Sequence, residues 1–191
     1  GLIELFTGIN PKYTFLFQNL ICFYLSGIFI YKINQIIFKD DKMAYIGMLV
    51  YVTCQPFAIF SLFILSDVVG WFFGILGIYL ILKYLPQSII NLKKTILISM
   101  LIGFGCLSKE SAIIAQIFLF SYIVLNKFPF KIKIKLLFAS FIGFIIPIII
   151  SSLLIQYFYN DSIFQRILEA HSVTKKDDFE FKSIKGIFRV I

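Results

Sequence analysis

The chain is dominated by apolar runs that are too long for the core of a small soluble domain. The first extends from residue 13 to about residue 38, and the next covers residues 43–85. A helix that crosses a bilayer needs about 20 mostly apolar residues. Charged residues make up 15% of the chain and hydrophobic residues 60%, whereas soluble domains carry about 25% charged residues. These features predict an integral membrane protein.

Helix breakers divide the long runs into individual spans. Residues 43–85 exceed one span, and we place the turn at Ser66-Asp67 because Pro56 can be carried inside a membrane helix as a kink. Residues 95–126 would form about 48 Å of helix where one span needs about 30 Å, so the polar SKES in their middle predicts a hairpin. We expect an all-α, polytopic transmembrane bundle of about six helices, some short, at 13–38, 43–65, 67–85, within 95–126 as a hairpin, and at 134–158.

The distribution of lysines supports the hairpin. Ten lysines lie in the connections that follow the first and third spans and precede the last. They are Lys32, Lys39, Lys42, Lys83, Lys93, Lys94, Lys127, Lys131, Lys133 and Lys135. The hairpin places all three connections on one side, which the positive-inside rule assigns to the cytoplasm. A single tilted helix over residues 95–126 would move four of these lysines to the other side.

The chain changes in polarity at about residue 158. Residues 1–158 form the predicted transmembrane region, and residues 159–191 form a polar tail outside the cytoplasm. Apolar residues recur at helical spacing over residues 163–168 of the tail, which fits an interfacial helix. Because the sequence opens on GLIELFTGINPKY without an initiator Met, we expect it to be part of a longer protein.

Several classes of function are disfavoured by the sequence. The net charge of +8 follows from the lysines of the connections, so nucleic acid is not an expected partner. The chain contains no Walker loop, paired CxxC, HExxH or nucleophile elbow. Cys22, Cys54 and Cys106 are far apart in apolar surroundings, which indicates buried apolar residues rather than a metal site or disulfides.

Three charged residues lie at the predicted turns opposite the lysine-rich connections: Asp67, Lys109 and Glu110. Charge at membrane depth normally faces a water-filled cavity or a partner. Two structural alternatives stay open. Asp67 could be a first-turn acid that is stabilised by the dipole of its helix, and Lys109 could form a local ion pair with Glu110. In the functional alternative, Lys109 binds an anion such as a lipid phosphate, while Asp67 or Glu110 handles a proton or a metal ion.

Three motifs follow one another over about residues 14–126. They read NLICFYLSGIFIYKINQIIFKDDKMAYIGMLVYV from residue 19, QPFAIFSLFILSDVVGWFFGILGIYLILKY from residue 55, and ILISMLIGFGCLSKESAIIAQIFLF from residue 96. In their order and shared side they resemble the GT-C superfamily of polytopic glycosyltransferases, especially the branch related to protein O-mannosyltransferases and lipid A aminoarabinose transferases.

The resemblance implies transfer of a sugar from a polyprenyl- or dolichyl-phosphate carrier to a protein, lipid or glycan acceptor. By motif match, Asp67 is similar to the acidic residue of the family's second outward loop, and Lys109 to the lysine that meets the donor phosphate. Glu110 stands where some members carry an acid and others a glycine. The resemblance thus implies catalytic roles for Asp67 and Glu110 and phosphate binding by Lys109. A divalent metal cofactor stays open, and the family's principal catalytic acid would lie upstream of this chain.

We therefore expect a multi-pass protein of the plasma membrane or endoplasmic reticulum with its active side outside the cytoplasm. The main alternative is a multispanning transporter or lipid flippase, which would use the same intramembrane charges for an ion or lipid pathway. A non-catalytic membrane scaffold is a third hypothesis. It predicts that Asp67 and Lys109 can be exchanged for Asn and Gln without loss.

Overall fold

The computed structural model describes residues 11–61, 67–85 and 91–159, which are helical almost throughout. Within these ranges the helices are α1 (Pro11–Phe38), α2 (Asp41–Thr53), α3 (Gln55–Ser61), α4 (Asp67–Tyr84), α5 (Leu92–Ser108), the single-turn 3-10 helix η1 (Glu110–Ala112), α6 (Ile113–Leu125) and α7 (Phe130–Tyr159). The predicted all-α fold is confirmed. The predicted interfacial helix over residues 163–168 lies outside the described residues.

Three of these helices are long and apolar enough to cross a membrane, judged by length and composition. They cover Lys12–Phe38, Asp67–Tyr84 and Phe130–Tyr157, and a shorter apolar stretch covers Glu110–Leu125. Large apolar side chains on α1 and α7, such as Phe17 and Phe138, are each 66% exposed. Outward-facing apolar side chains are expected for helices surrounded by lipid, so the structure supports the predicted membrane bundle.

The α1–α2 connection is a tight helical hairpin. Asp40 caps α2, because its side chain accepts a hydrogen bond from a backbone amide of the first turn at 2.8 Å. Asp41 accepts hydrogen bonds from the Tyr31 hydroxyl at 3.2 Å and from Nε2 of Gln35 at 2.8 Å. Lys39 joins the two helices with a positive φ of 52°. Asp41 thus ties the start of α2 to the end of α1, while Asp40 caps α2.

The second predicted span, residues 43–65, is interrupted in the structure. α2 ends at Thr53, Cys54 has extended backbone angles (φ −65°, ψ 107°), and α3 begins at Gln55. Pro56 accounts for the break, because proline has no amide N–H to continue the hydrogen-bond series of the preceding turn. The expected continuous, kinked helix is therefore corrected to two helical segments.

α4 contributes to two apolar clusters in the first compact unit, residues 1–148. One cluster joins α1, α2 and α4 through Phe23, Tyr51 and Val68. The other joins α4 to α5, α6 and α7 through buried side chains that include Ile81, Ile102, Leu119 and Leu136. Both ends of α4 are consequently held by packing. The second unit, residues 149–191, is described only over the final residues of α7.

Residues 95–126 form the predicted hairpin, with Lys109 and η1 between α5 and α6. Nε2 of Gln116 on α6 donates a hydrogen bond to the Ser140 hydroxyl on α7 at 2.7 Å. The Ser140 and Ser99 hydroxyls lie 2.9 Å apart, and Ser99 belongs to α5. This polar group links three helices, as buried polar side chains commonly do in membrane bundles.

Candidate functional site

The Asp67 carboxylate and the Lys109 ammonium meet where the start of α4 adjoins the α5–α6 turn. Nζ of Lys109 lies 3.3 Å from Oδ1 of Asp67 and 4.0 Å from Oε1 of Glu110. The side chains of Asp67 and Lys109 are 25% and 35% exposed, whereas that of Glu110 is 80% exposed. The three predicted site residues therefore form one ionic group, in which Asp67 is the closer partner of Lys109. The structure thus brings together residues that the sequence placed at separate turns, and their chemical roles stay predictions.

An interruption of the helix positions Lys109. α5 ends at Ser108, and Lys109 has extended backbone angles (φ −159°, ψ 135°). Its amide donates to the Gly105 carbonyl at 3.0 Å, and its carbonyl accepts from the Ala112 amide at 3.2 Å. Both of its backbone polar groups are thus satisfied. Since Lys109 caps the C-terminus of α5, its positive charge also lies at the favourable end of that helix dipole.

Gly70 on α4 leaves the space that the turn at Lys109 occupies. A β-carbon at Gly70 would lie 2.6 Å from Cβ of Lys109 and 3.2 Å from Oγ of Ser111. Asp67 precedes Gly70 by three residues, so both lie on the same face of α4. That face therefore supplies both the carboxylate and the space that lets the ammonium reach it.

Two mainly apolar cavities adjoin this turn. The first, of about 430 Å³, is lined by the rings of Tyr51, Phe57 and Trp71 and by Ser111. The second, of about 410 Å³, is lined by apolar side chains of α4 and α5 and by Ser108. Ser108 and Ser111 lie on either side of Lys109 in the sequence. Each cavity therefore reaches the backbone that holds the ionic group.

Two buried hydroxyls near the first cavity have no hydrogen-bond partner among the residues that the structure describes. They belong to Tyr51 and Ser111. The Tyr51 hydroxyl lies near Ser26, whose own hydroxyl donates to the Cys22 carbonyl at 2.7 Å. The sequence did not single out either residue, because a lone Ser or Tyr in an apolar helix carries no charge or periodic signal.

The arrangement does not form a metal site by itself. Across the residues that the structure describes, no three His, Cys, Asp or Glu side chains come together in a way that could hold a metal ion. Asp67 and Glu110 supply two carboxylates, and both lie within 4.0 Å of the Lys109 ammonium. These residues therefore do not fit a divalent ion. The three cysteines are free thiols; Cys22 is buried as predicted, whereas Cys54 and Cys106 are only partly buried.

The helical bundle, the ionic group at its end and the adjoining apolar cavities define a polytopic membrane protein with a polar site beside a hydrocarbon-like space. Residues 2–155 match the family described as dolichyl-phosphate-mannose-protein mannosyltransferase, and the chain belongs to this family. Membership confirms the resemblance to GT-C glycosyltransferases and implies glycosyltransferase activity of the mannosyltransferase type. Searches of curated proteins and of solved structures gave no match.

Proposed function

We propose that this chain is part of a membrane glycosyltransferase that takes a sugar from a polyprenyl- or dolichyl-phosphate donor. The acceptor is a hydroxyl of a protein, lipid or glycan. The observation that carries the proposal is the 3.3 Å contact of Lys109 with Asp67 beside apolar cavities, in a chain of the mannosyltransferase family. A lipid-linked donor needs both features, because its chain requires an apolar volume and its phosphate requires a cation.

Lys109 binds the donor phosphate in this proposal. During transfer, the acceptor oxygen bonds to the anomeric carbon of the sugar, and the bond from that carbon to the phosphate oxygen breaks. The electron pair of the broken bond leaves with the lipid phosphate, which gains one negative charge. A cation placed where this charge develops stabilises the transition state. The Lys109 side chain is 35% exposed, so an incoming phosphate can reach it.

Asp67 and Glu110 are the proposed catalytic carboxylates. The acceptor hydroxyl loses a proton as its oxygen bonds to the sugar, and a carboxylate within reach accepts that proton. Glu110 is better placed for this step because it is 80% exposed. Asp67 holds and orients the ammonium before the donor binds. The donor phosphate must share Lys109 with Asp67 or displace it, and a displaced Asp67 becomes a second base.

The proposed reaction takes place outside the cytoplasm. Asp67 begins α4 and Lys83 lies in its last turn, and the 18 residues of α4 extend over about 27 Å at the usual helical rise. The connections that carry most lysines are therefore at the end of the bundle opposite the ionic group. The positive-inside rule assigns that end to the cytoplasm, which supports an outward-facing site.

Sugar transfer by the full-length protein in proteoliposomes, from a synthetic polyprenyl-phosphate sugar, tests the proposal. We expect Lys109→Ala to lower kcat/KM about a hundredfold or more, as removal of one transition-state donor commonly does. Asp67→Asn should also slow transfer. Lys39→Ala is the matched control, since Lys39 is an exposed lysine of the α1–α2 connection. Wild-type rates in both site variants would refute the assignment, and movement of the lipid-linked sugar across the bilayer without transfer would favour a flippase.

A further inference from the structure

The end of the bundle opposite the ionic group is strongly basic. We propose that this surface binds the anionic headgroups of phospholipids in the adjoining leaflet, independently of the sugar transfer. We define it as the lysine-rich end, formed by the last turn of α4, the first turn of α5, and the α6–α7 connection with the start of α7. Its lysines are Lys83, Lys93, Lys94, Lys127, Lys131, Lys133 and Lys135.

Acidic residues do not accompany these lysines along the chain. Within residues 68–160, Glu110 is the sole Asp or Glu in the sequence, and it lies near Lys109 at the other end of the bundle. The α1–α2 connection differs, because Asp40 and Asp41 offset its lysines. Positive charge is therefore concentrated on the lysine-rich end rather than spread over all connections.

The fold brings the helix ends that carry the two groups of lysines together although they are far apart in sequence. A small cavity at this end is lined by Tyr84 from the end of α4, by Lys94 from the start of α5, and by Phe128 and Leu136 from the α6–α7 region. The two groups of lysines consequently belong to neighbouring helix ends. Their charges act on the same patch of membrane surface.

Lys83 and Lys94 converge on one aromatic ring. Nζ of Lys83 lies 5.3 Å from the ring centroid of Tyr84, and Nζ of Lys94 lies 4.8 Å from the same centroid. The face of a tyrosine ring attracts an ammonium group without neutralising it. Two like charges from two helices are thus held close to each other. Tyrosine rings are also typical of the headgroup level of a bilayer, which places both lysines at the depth of lipid phosphates.

The first turn of α5 adds to the attraction for an anion. Oδ1 of Asn91 accepts hydrogen bonds from the amides of Lys93 and Lys94 at 3.0 and 3.3 Å, which fixes both lysines in that turn. Cations at a helix N-terminus are disfavoured by the helix dipole. An anionic headgroup relieves both this penalty and the repulsion between the lysines. A zwitterionic headgroup does so less, because its own ammonium or choline group opposes the approach.

Titration of the detergent-purified full-length protein with phosphatidylglycerol or phosphatidylcholine, read by native mass spectrometry, tests this inference. We expect a preference for phosphatidylglycerol that the double variant Lys83→Gln/Lys94→Gln weakens about 25-fold, since each lysine near an anionic surface contributes about fivefold. Arginine at both positions should retain the preference. The matched control is Lys39→Gln/Lys42→Gln, which should change binding less than about twofold because Asp40 and Asp41 offset those lysines.

Equal binding of the two lipids by the wild-type protein would overturn the inference. Equal losses in the two double variants would also overturn it, because total charge alone would then explain the binding. Salt provides a readout that needs no variant: the preference for phosphatidylglycerol should fall steeply between about 50 and 500 mM KCl, as screening shortens the range of the interaction. A preference that salt leaves unchanged would contradict an ionic surface even if the double variant failed to fold.

Discussion

Gly70 and Lys109 are in direct contact, and no β-carbon fits between them. Gly70 lies on α4, three residues after Asp67, and Lys109 lies in the α5–α6 turn. The distance between the two backbones therefore decides whether the Lys109 ammonium can reach the Asp67 carboxylate. Gly70 has no side chain to react, yet the geometry of the ionic group depends on it.

Gly70→Ala should disturb the site, and Gly74→Ala should not. A β-carbon at position 70 would lie 2.6 Å from Cβ of Lys109, whereas at position 74 the nearest atom is Cα of Ala112 at 3.6 Å. Overpacking of this kind costs about 1–3 kcal/mol, while alanine in an unobstructed helix position is neutral or stabilising. We expect Gly70→Ala to lower both the midpoint of thermal unfolding and the transfer rate. Equal effects of the two variants would show that the contact does not constrain the site.

Asp67→Asn should increase the affinity for a lipid phosphate while it slows sugar transfer. One ammonium and two carboxylates make the ionic group net negative, which opposes an anion. Loss of one negative charge about 4 Å from a bound phosphate changes the binding free energy by about 1 kcal/mol in water, which is about fivefold in Kd. Binding of polyprenyl phosphate by the purified full-length variants measures this, with Asp41→Asn at the other end of the bundle as control. Weaker binding by Asp67→Asn would mean that Asp67 supports the phosphate rather than competing with it.

Gly74→Leu should discriminate between donors of different chain length, if the proposed donor chain lies in the first cavity. Gly74 lines that cavity of about 430 Å³, and a larger side chain there enters it. We expect KM to rise for a long-chain polyprenyl-phosphate sugar and to stay near its wild-type value for a short-chain analogue. Leu101→Trp fills the second cavity and serves as the comparison. Equal changes of KM for both donors would place the chain elsewhere.

Charge and span length were sufficient to predict the α5–α6 hairpin and to place Asp67 and Lys109 at turns on the same side of the bundle. Each additional turn of a membrane bundle reverses the side of every later connection, so the lysines at 127–135 carried information about the turn at Lys109. The bilayer thickness likewise excluded one helix over residues 95–126. Both arguments use long-range constraints that a membrane imposes on the sequence itself.

Close packing could not be predicted in the same way. The interruption at Cys54 depends on whether neighbouring groups satisfy the backbone around Pro56, and the sequence does not specify those neighbours. The contact of Gly70 with Lys109, and the buried hydroxyls of Tyr51 and Ser111, arise from tertiary approach between helices. A glycine in an apolar helix predicts close packing in general, but its partner follows only from the fold.

Ser140→Ala should destabilise the bundle more than Ser99→Ala. The Ser140 hydroxyl accepts the hydrogen bond from Nε2 of Gln116 at 2.7 Å and lies 2.9 Å from the Ser99 hydroxyl. Oε1 of Gln116 is already buried without a hydrogen bond among the described residues. Removing the Ser140 hydroxyl therefore leaves the whole buried amide unsatisfied, at a cost of about 0.5–2 kcal/mol in a membrane interior. Ser99→Ala leaves the bond between Gln116 and Ser140 in place and should cost less.

The double variant Gln116→Leu/Ser140→Ala separates the hydrogen bond from the burial of a polar group. With both partners apolar, no unsatisfied amide remains, so the double variant should recover part of the stability lost by Ser140→Ala. Equilibrium unfolding of the four proteins in mixed SDS micelles measures the differences, with Ser99→Ala as the matched serine control. A double variant that is less stable than Ser140→Ala would show that the Gln116 side chain stabilises the three-helix contact by packing, and not through Ser140.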